Sequence, residues 1–192
     1  MKAIKDFDNV QPAGSGIDNL PAGGYVCHIK KCTEEKNRNG SGSHLLIQFD
    51  VCEGDYRNFF LSDYKNQTRE DKFWRGVIRQ NVPDETSPKY DMQCRFFRSF
   101  INAVEESNDG YHWDWKEAGL KGLFIGVIFG EVEKESQRGT RYMVTRADSI
   151  VSANAIREGK YQTPAPKLLQ TSAAAPSFSA ADNSDDGEGF PF

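Results

Sequence analysis

Two stretches of period-two alternation open the patterned part of the chain. From Gly24 to Thr33, Tyr25, Cys27 and Ile29 share one face while His28 and Lys30 share the other, as in a half-buried strand. From His44 to Cys52, Leu45, Ile47, Phe49 and Val51 point one way. The polar, glycine-bearing EEKNRNGSGS between them predicts a long hairpin with a mobile tip. After a turn at Glu53-Gly54-Asp55, Tyr56–Leu61 reads as a third strand. From Asp63 to Pro88 the pattern is interrupted by charges and by Pro83 and Pro88, with a short helical periodicity over Arg69–Arg79. The clearest helix is Met92–Ser107. There Met92, Phe96, Phe97, Phe100, Ile101 and Val104 recur at three-and-four spacing, and Asn108-Asp109-Gly110 supplies a stop. The apolar run Leu120–Glu133 predicts a strand, which a polar hairpin at Ser136–Gly139 turns back into Thr140–Arg146. Gly122, Gly126 and Gly130 within that run predict the sharp coiling of a small barrel.

This order predicts a mainly β protein: a five-stranded OB-like barrel with one helix between strands 3 and 4, plus a disordered C-terminal tail. Other small β barrels and α+β folds share the order. Residues 1–22 read as an irregular polar arm, 23–160 as the folded body and 161–192 as linker and tail. Beyond Tyr161 the chain turns Pro-, Ala- and Ser-rich, with too little apolar surface to offset its ordering entropy.

Composition adds rings and removes compartments. The 192 residues include 13 Phe, 7 Tyr and 3 Trp, so the core must lean on Phe and rings remain for the surface. No run of about 18 apolar residues predicts a membrane span, and the N-terminus lacks the apolar stretch of a signal peptide, so a cytoplasmic protein is expected. Its 4 Cys then read as free thiols. The net charge of −4 is unevenly spread. Lys167 against Asp182, Asp185, Asp186 and Glu188 gives residues 161–192 a charge of −3, which leaves −1 for the rest. A near-neutral body can still carry a basic groove on one face.

The final residues, DNSDDGEGFPF, join an acidic run to Phe190-Pro191-Phe192. This is the composition of a peptide ligand: ring and proline for an apolar pocket, a carboxylate for a cation, and acidic residues for steering. The tip resembles the acidic tail of bacterial single-strand DNA-binding proteins, although Gly187 and Gly189 interrupt the acidic run and Phe190 stands where isoleucine is common. That resemblance implies recruitment of replication and recombination proteins by Asp185, Asp186, Glu188, Phe190, Pro191 and Phe192. The body is similar to phage and prophage single-stranded DNA-binding proteins in LPAGGYVCHIKK, HLLIQFDVCEGDY, DKFWRG, NDGYHWDW with the following LKG, and IREGKY, between Leu20 and Tyr161. Asp109 replaces a more usual proline before Gly110.

Basic residues interleaved with rings point the same way, since cations follow phosphates and rings stack on bases. Lys30, Lys36 and Arg38 cluster on the first hairpin. Tyr64, Lys65, Arg69, Trp74, Arg75 and Arg79 follow in the central region. Lys36 and Arg38 serve equally as solvated loop charges, and Trp74 reads more readily as core than as a stacking platform. Tyr111, Trp113 and Trp115 read as core or helix-capping aromatics. Cys27 and Cys32, five apart on a strand, face opposite sides unless a bulge intervenes, and no C-x-x-C pair is present, so no metal or other cofactor is expected. Phosphate-binding loops, nucleophile elbows and paired-histidine motifs are absent, so the chain is expected not to be an enzyme. Asp50, Glu53 and Asp55 could be imagined as Mg²⁺-holding nuclease carboxylates, but they mark a strand end and turn. The expected role is binding single-stranded DNA in phage replication or recombination, as a monomer or a homo-oligomer. The alternative is a β-barrel protein-interaction module, such as a recombination mediator or host-enzyme inhibitor.

Overall fold

The structure is a computed structural model that describes residues 19–38 and 40–169. Among these residues five strands form one antiparallel sheet: β1 (Gly23–Lys36), β2 (Ser43–Val51), β3 (Val77–Asn81), β4 (Phe124–Glu135) and β5 (Arg141–Val151). Their spatial order is β3-β2-β1-β4-β5. Among the described residues three α-helices accompany them: α1 (Phe59–Asn66), α2 (Tyr90–Ser107) and α3 (Ala153–Arg157). No helix among the described residues is long and apolar enough to cross a membrane.

The first hairpin forms as its alternation predicts, and Leu45, Ile47, Phe49 and Val51 are all buried. One detail differs. The pairing steps from Ile29↔Phe49 to Lys31↔Gln48, so Lys30 is an extra residue in β1. This bulge flips the side chains that follow it. Cys27 and Cys32 are therefore both buried rather than on opposite faces. Burial pushes the Cys32 thiol up to about 12. Among the described residues no three His, Cys, Asp or Glu side chains gather as a metal site.

The third strand lies elsewhere than expected. Tyr56–Leu61 is a turn leading into α1, and the strand is Val77–Asn81, which overlaps the end of the stretch Arg69–Arg79 that reads as helical. The Asp50 carboxylate explains the difference: its Oδ1 accepts from the backbone N–H of Phe60 at 3.0 Å, holding the first turn of α1 from the neighbouring strand. Phe60 then turns inward, edge-on to Phe49 with centroids 5.6 Å apart and stacked with Phe129 at 6.3 Å. These phenylalanines form the centre of the core.

The helix expected between strands 3 and 4 is α2. Phe97, Phe100, Ile101 and Val104 are buried, but the stripe does not extend back through its first turns, where Met92 and Phe96 are exposed. Asn108 ends the helix and begins β4, accepting from Phe124 N–H at 2.8 Å and donating to Phe124 O at 2.9 Å. β5 runs five residues beyond its expected end at Arg146.

The sheet is not closed into a barrel: β3 pairs only with β2, and β5 only with β4. The chain beyond α3 runs beside the other edge of β4. Lys167 N–H donates to Glu131 O at 2.9 Å and Glu133 N–H donates to Lys167 O at 2.8 Å, a parallel bridge opposite Val132. Gly130 makes room for this segment, because a Cβ there would lie 2.7 Å from Pro164 Cγ. At the other end of the described chain, Leu20 is buried in the core and Tyr25 donates to Pro21 O at 2.8 Å. The stretch 161–192 is expected to be a flexible linker and tail; its described part, 161–169, instead reaches β4 through Lys167, and the remainder, with Asp185, Asp186, Glu188, Phe190, Pro191 and Phe192, lies outside the described residues.

Candidate nucleic-acid interface

Because β3 and β5 do not pair, a groove of about 620 Å³ opens between them. Phe49, Phe60 and Phe129 lie at its base. One wall carries Phe73, Trp74, Arg75 and Arg79, and the other carries Lys134, Tyr142 and Arg146. Asp148 is the one carboxylate among its described lining residues, and Lys167 neutralises it at 2.5 Å. Four cations and a set of rings thus face a single trench.

The first wall is built by the segment joining α1 to β3. Gly76 passes so close to Phe49 O that no side chain fits there. This approach brings the Trp74 indole N–H to Phe49 O at 3.0 Å and Gly76 O at 3.1 Å. Trp74 is therefore half-buried and anchored to the sheet, with Tyr64 tilted against it at 5.9 Å. Phe73, the next residue back, is 49% exposed. Gln67 fixes its backbone, accepting from Phe73 N–H at 3.0 Å and donating to Phe73 O at 2.9 Å. Arg75 is tied to Asp63 of α1 by a two-pronged ion pair.

The second wall comes from the β4–β5 hairpin. Tyr142, Val144 and Arg146 recur two apart along β5, so the pleat sends them the same way, and Asp148, the extra residue of a bulge opposite Ile128 and Phe129, also lines the groove. Among the described residues Arg79, Lys134 and Arg146 have no ion-pair partner. Lys134, Tyr142 and Arg146 escape the sequence reading. They lie on the two strands of the second hairpin, and only the sheet order brings them opposite β3.

Of the nine residues expected to meet DNA, Trp74, Arg75 and Arg79 line this groove, while Lys30, Lys36, Arg38, Tyr64, Lys65 and Arg69 do not. Lys30 is the bulged residue of β1, close enough to His28 and Asp50 to act on both electrostatically. Lys36 and Arg38 sit exposed where the β1–β2 hairpin turns. Arg69 makes an ion pair with Asp71 at 2.7 Å and covers the Phe73 ring at 5.2 Å. Lys72 lies 5.9 Å from the Tyr64 ring, so α1 and the following loop form a cationic, aromatic knob that includes Phe73 of the groove wall.

Asp50 and Glu53, at the end of β2 and the turn after it, hold the fold together. Asp50 is fully buried and, besides Phe60, accepts from its neighbour Val51 N–H at 3.0 Å. Burial raises its pKa, against the pull of the Phe60 hydrogen bond and of Lys30. Glu53 pairs with Arg157 of α3 at 2.6 Å, and that contact lowers its pKa. Tyr111 and Trp113 pack against the core as expected, but Trp115 does not: it is 78% exposed, with a left-handed φ of 64°. Its ring stacks on Phe97 with centroids 6.4 Å apart, at the edge of an apolar cavity of about 400 Å³.

Compared with known proteins, the chain matches no family model and no curated protein.

Proposed function

We propose that this chain binds single-stranded DNA without catalysing a reaction, and that the trench between β3 and β5 is where the strand lies. The observation that carries this reading is the meeting of Arg75, Arg79, Lys134 and Arg146 with Phe73, Trp74 and Tyr142 around one open groove. Cations along such a groove follow the phosphates, and exposed rings accept bases at ~1–3 kcal/mol per stacked base. Phe73 and Tyr142, about half exposed, are the stacking platforms. Trp74 holds the wall on which Phe73 stands. The strand order, with α2 leading into β4, supports an OB-like barrel left open along one seam, and OB folds are often only partly closed.

The acidic residues Asp185, Asp186 and Glu188 with Phe190, Pro191 and Phe192 are proposed to recruit replication or recombination proteins. Cellular context, a phage replication or recombination cycle, follows from the resemblance of the body and remains part of the proposal.

Titration of oligo-dT against intrinsic fluorescence tests the reading. Affinity should drop steeply with salt as counterions are released. Duplex DNA should compete poorly. Equal binding of duplex and single strands, or no binding at low salt, would leave the protein-interaction module as the better account. Deleting Asp182 to Phe192 should tighten binding if the acidic segment competes for the groove.

A further inference from the structure

The N-terminal half of α2 leaves apolar side chains in solvent that its own pattern could have hidden. Phe96 is 62% exposed and Met92 47%, whereas Phe97 on the same helix is buried. Lys89, Met92 and Phe96 fall three and four apart around the start of the helix, so they form one ridge. That ridge is a wall of a second cavity, of about 530 Å³, whose other walls are β3 and β5. Ile78, Arg79 and Asp148 line both this cavity and the groove, so the two are continuous. Asp148 is again the one carboxylate among the described lining residues, and its Lys167 partner removes the repulsion a phosphate would otherwise meet at the junction.

We infer that a strand lying in the groove continues past Arg79 onto α2, where Phe96 stacks on a base and Lys89 contacts a phosphate. This rests on the single-stranded DNA reading of the groove and adds a second base-binding subsite to it. The occupant is set by continuity and by charge: the path carries Arg79 and Lys89 and a flat exposed ring, the combination that suits an unpaired nucleotide. The strand would run along the seam between β3 and β5 and leave the protein over the helix.

The test uses the full chain and a ladder of dT oligomers from about 4 to about 16 nucleotides, the range of footprints for such folds. Phe96→Ala should leave the shortest bound oligomers unaffected and weaken the longest by about 5- to 10-fold, the loss of one modest stacking contact. Phe96→Tyr should restore binding, and Lys89→Ala should reduce the salt dependence for long oligomers only. Phe73→Ala, in the groove itself, should weaken every length. An F96A loss equal at all lengths, or absent at all lengths, overturns the α2 path while wild-type binding leaves the groove reading standing. Failure of the wild-type chain to bind any oligomer at low salt overturns both.

Discussion

The Lys167 ammonium lies 2.5 Å from the Asp148 carboxylate, joining the chain beyond α3 to the wall of the groove. The backbone of Lys167 is held on β4 by two hydrogen bonds, so this cation is positioned by the fold and is not a loose surface charge. Under the proposed function, Lys167→Ala should bare Asp148 and weaken oligo-dT binding by about 2- to 5-fold at low salt, the effect of one unscreened charge near a phosphate. Adding Asp148→Asn should restore the affinity. If the double variant binds as weakly as the single one, Lys167 acts by contact and not by neutralising Asp148.

Arg79 and Arg146 face each other's strands across the seam with no ion-pair partner among the described residues. Each replaced singly by Ala should reduce the slope of log affinity against log salt by about one. Lys36→Ala, on the hairpin tip and outside the groove, should leave the slope unchanged. The salt series on the three variants separates groove cations from ordinary surface charge.

Trp74 should matter for stability more than for stacking. Trp74→Phe keeps a ring but removes the indole donor to Phe49 O and Gly76 O. Loss of that donor should cost about 1–2 kcal/mol, read from the shift of the urea midpoint. Oligo-dT affinity, measured well below the midpoint, should change little. A large loss of affinity without loss of stability would place the Trp74 ring on the bases.

Asp50 should give the stability profile a specific sign. Burial raises its carboxyl pKa above the ordinary value, so between those two values the folded protein holds a proton that the unfolded chain has released. Stability should fall as pH rises through that window and stay lowered at neutral pH, with the penalty absent below the ordinary carboxylate value. Asp50→Asn retains an acceptor for Phe60 N–H without the charge, and should flatten that part of the profile. Urea midpoints for both proteins from acid to neutral pH would reveal a parallel pair of curves if Asp50 were not the source.

The strands with strict alternation were legible from the chain alone, because in β2 every second residue meets the core and nothing interrupts it. Three features were not. The bulge at Lys30 leaves no trace in composition, since an extra residue shifts parity without changing residue type. The run Phe59-Phe60-Leu61 suits a strand or a helix, and a carboxylate on another strand, Asp50, decides between them. Half of the groove comes from β5, whose polar residues read as solvent-facing until β3 is seen across the gap. Trp74, Arg75 and Arg79 were found because they are close in sequence; Lys134, Tyr142 and Arg146 were missed because only the sheet order brings them opposite.

The unpaired seam also governs how the trench can respond to what enters it. β3 and β5 belong to opposite ends of one ladder, so moving them apart or together twists the sheet and breaks no strand-to-strand hydrogen bond. The jaw can thus adjust its bite elastically, and under the proposed function this would let a purine or a pyrimidine enter alike, a freedom that a fully closed cylinder lacks.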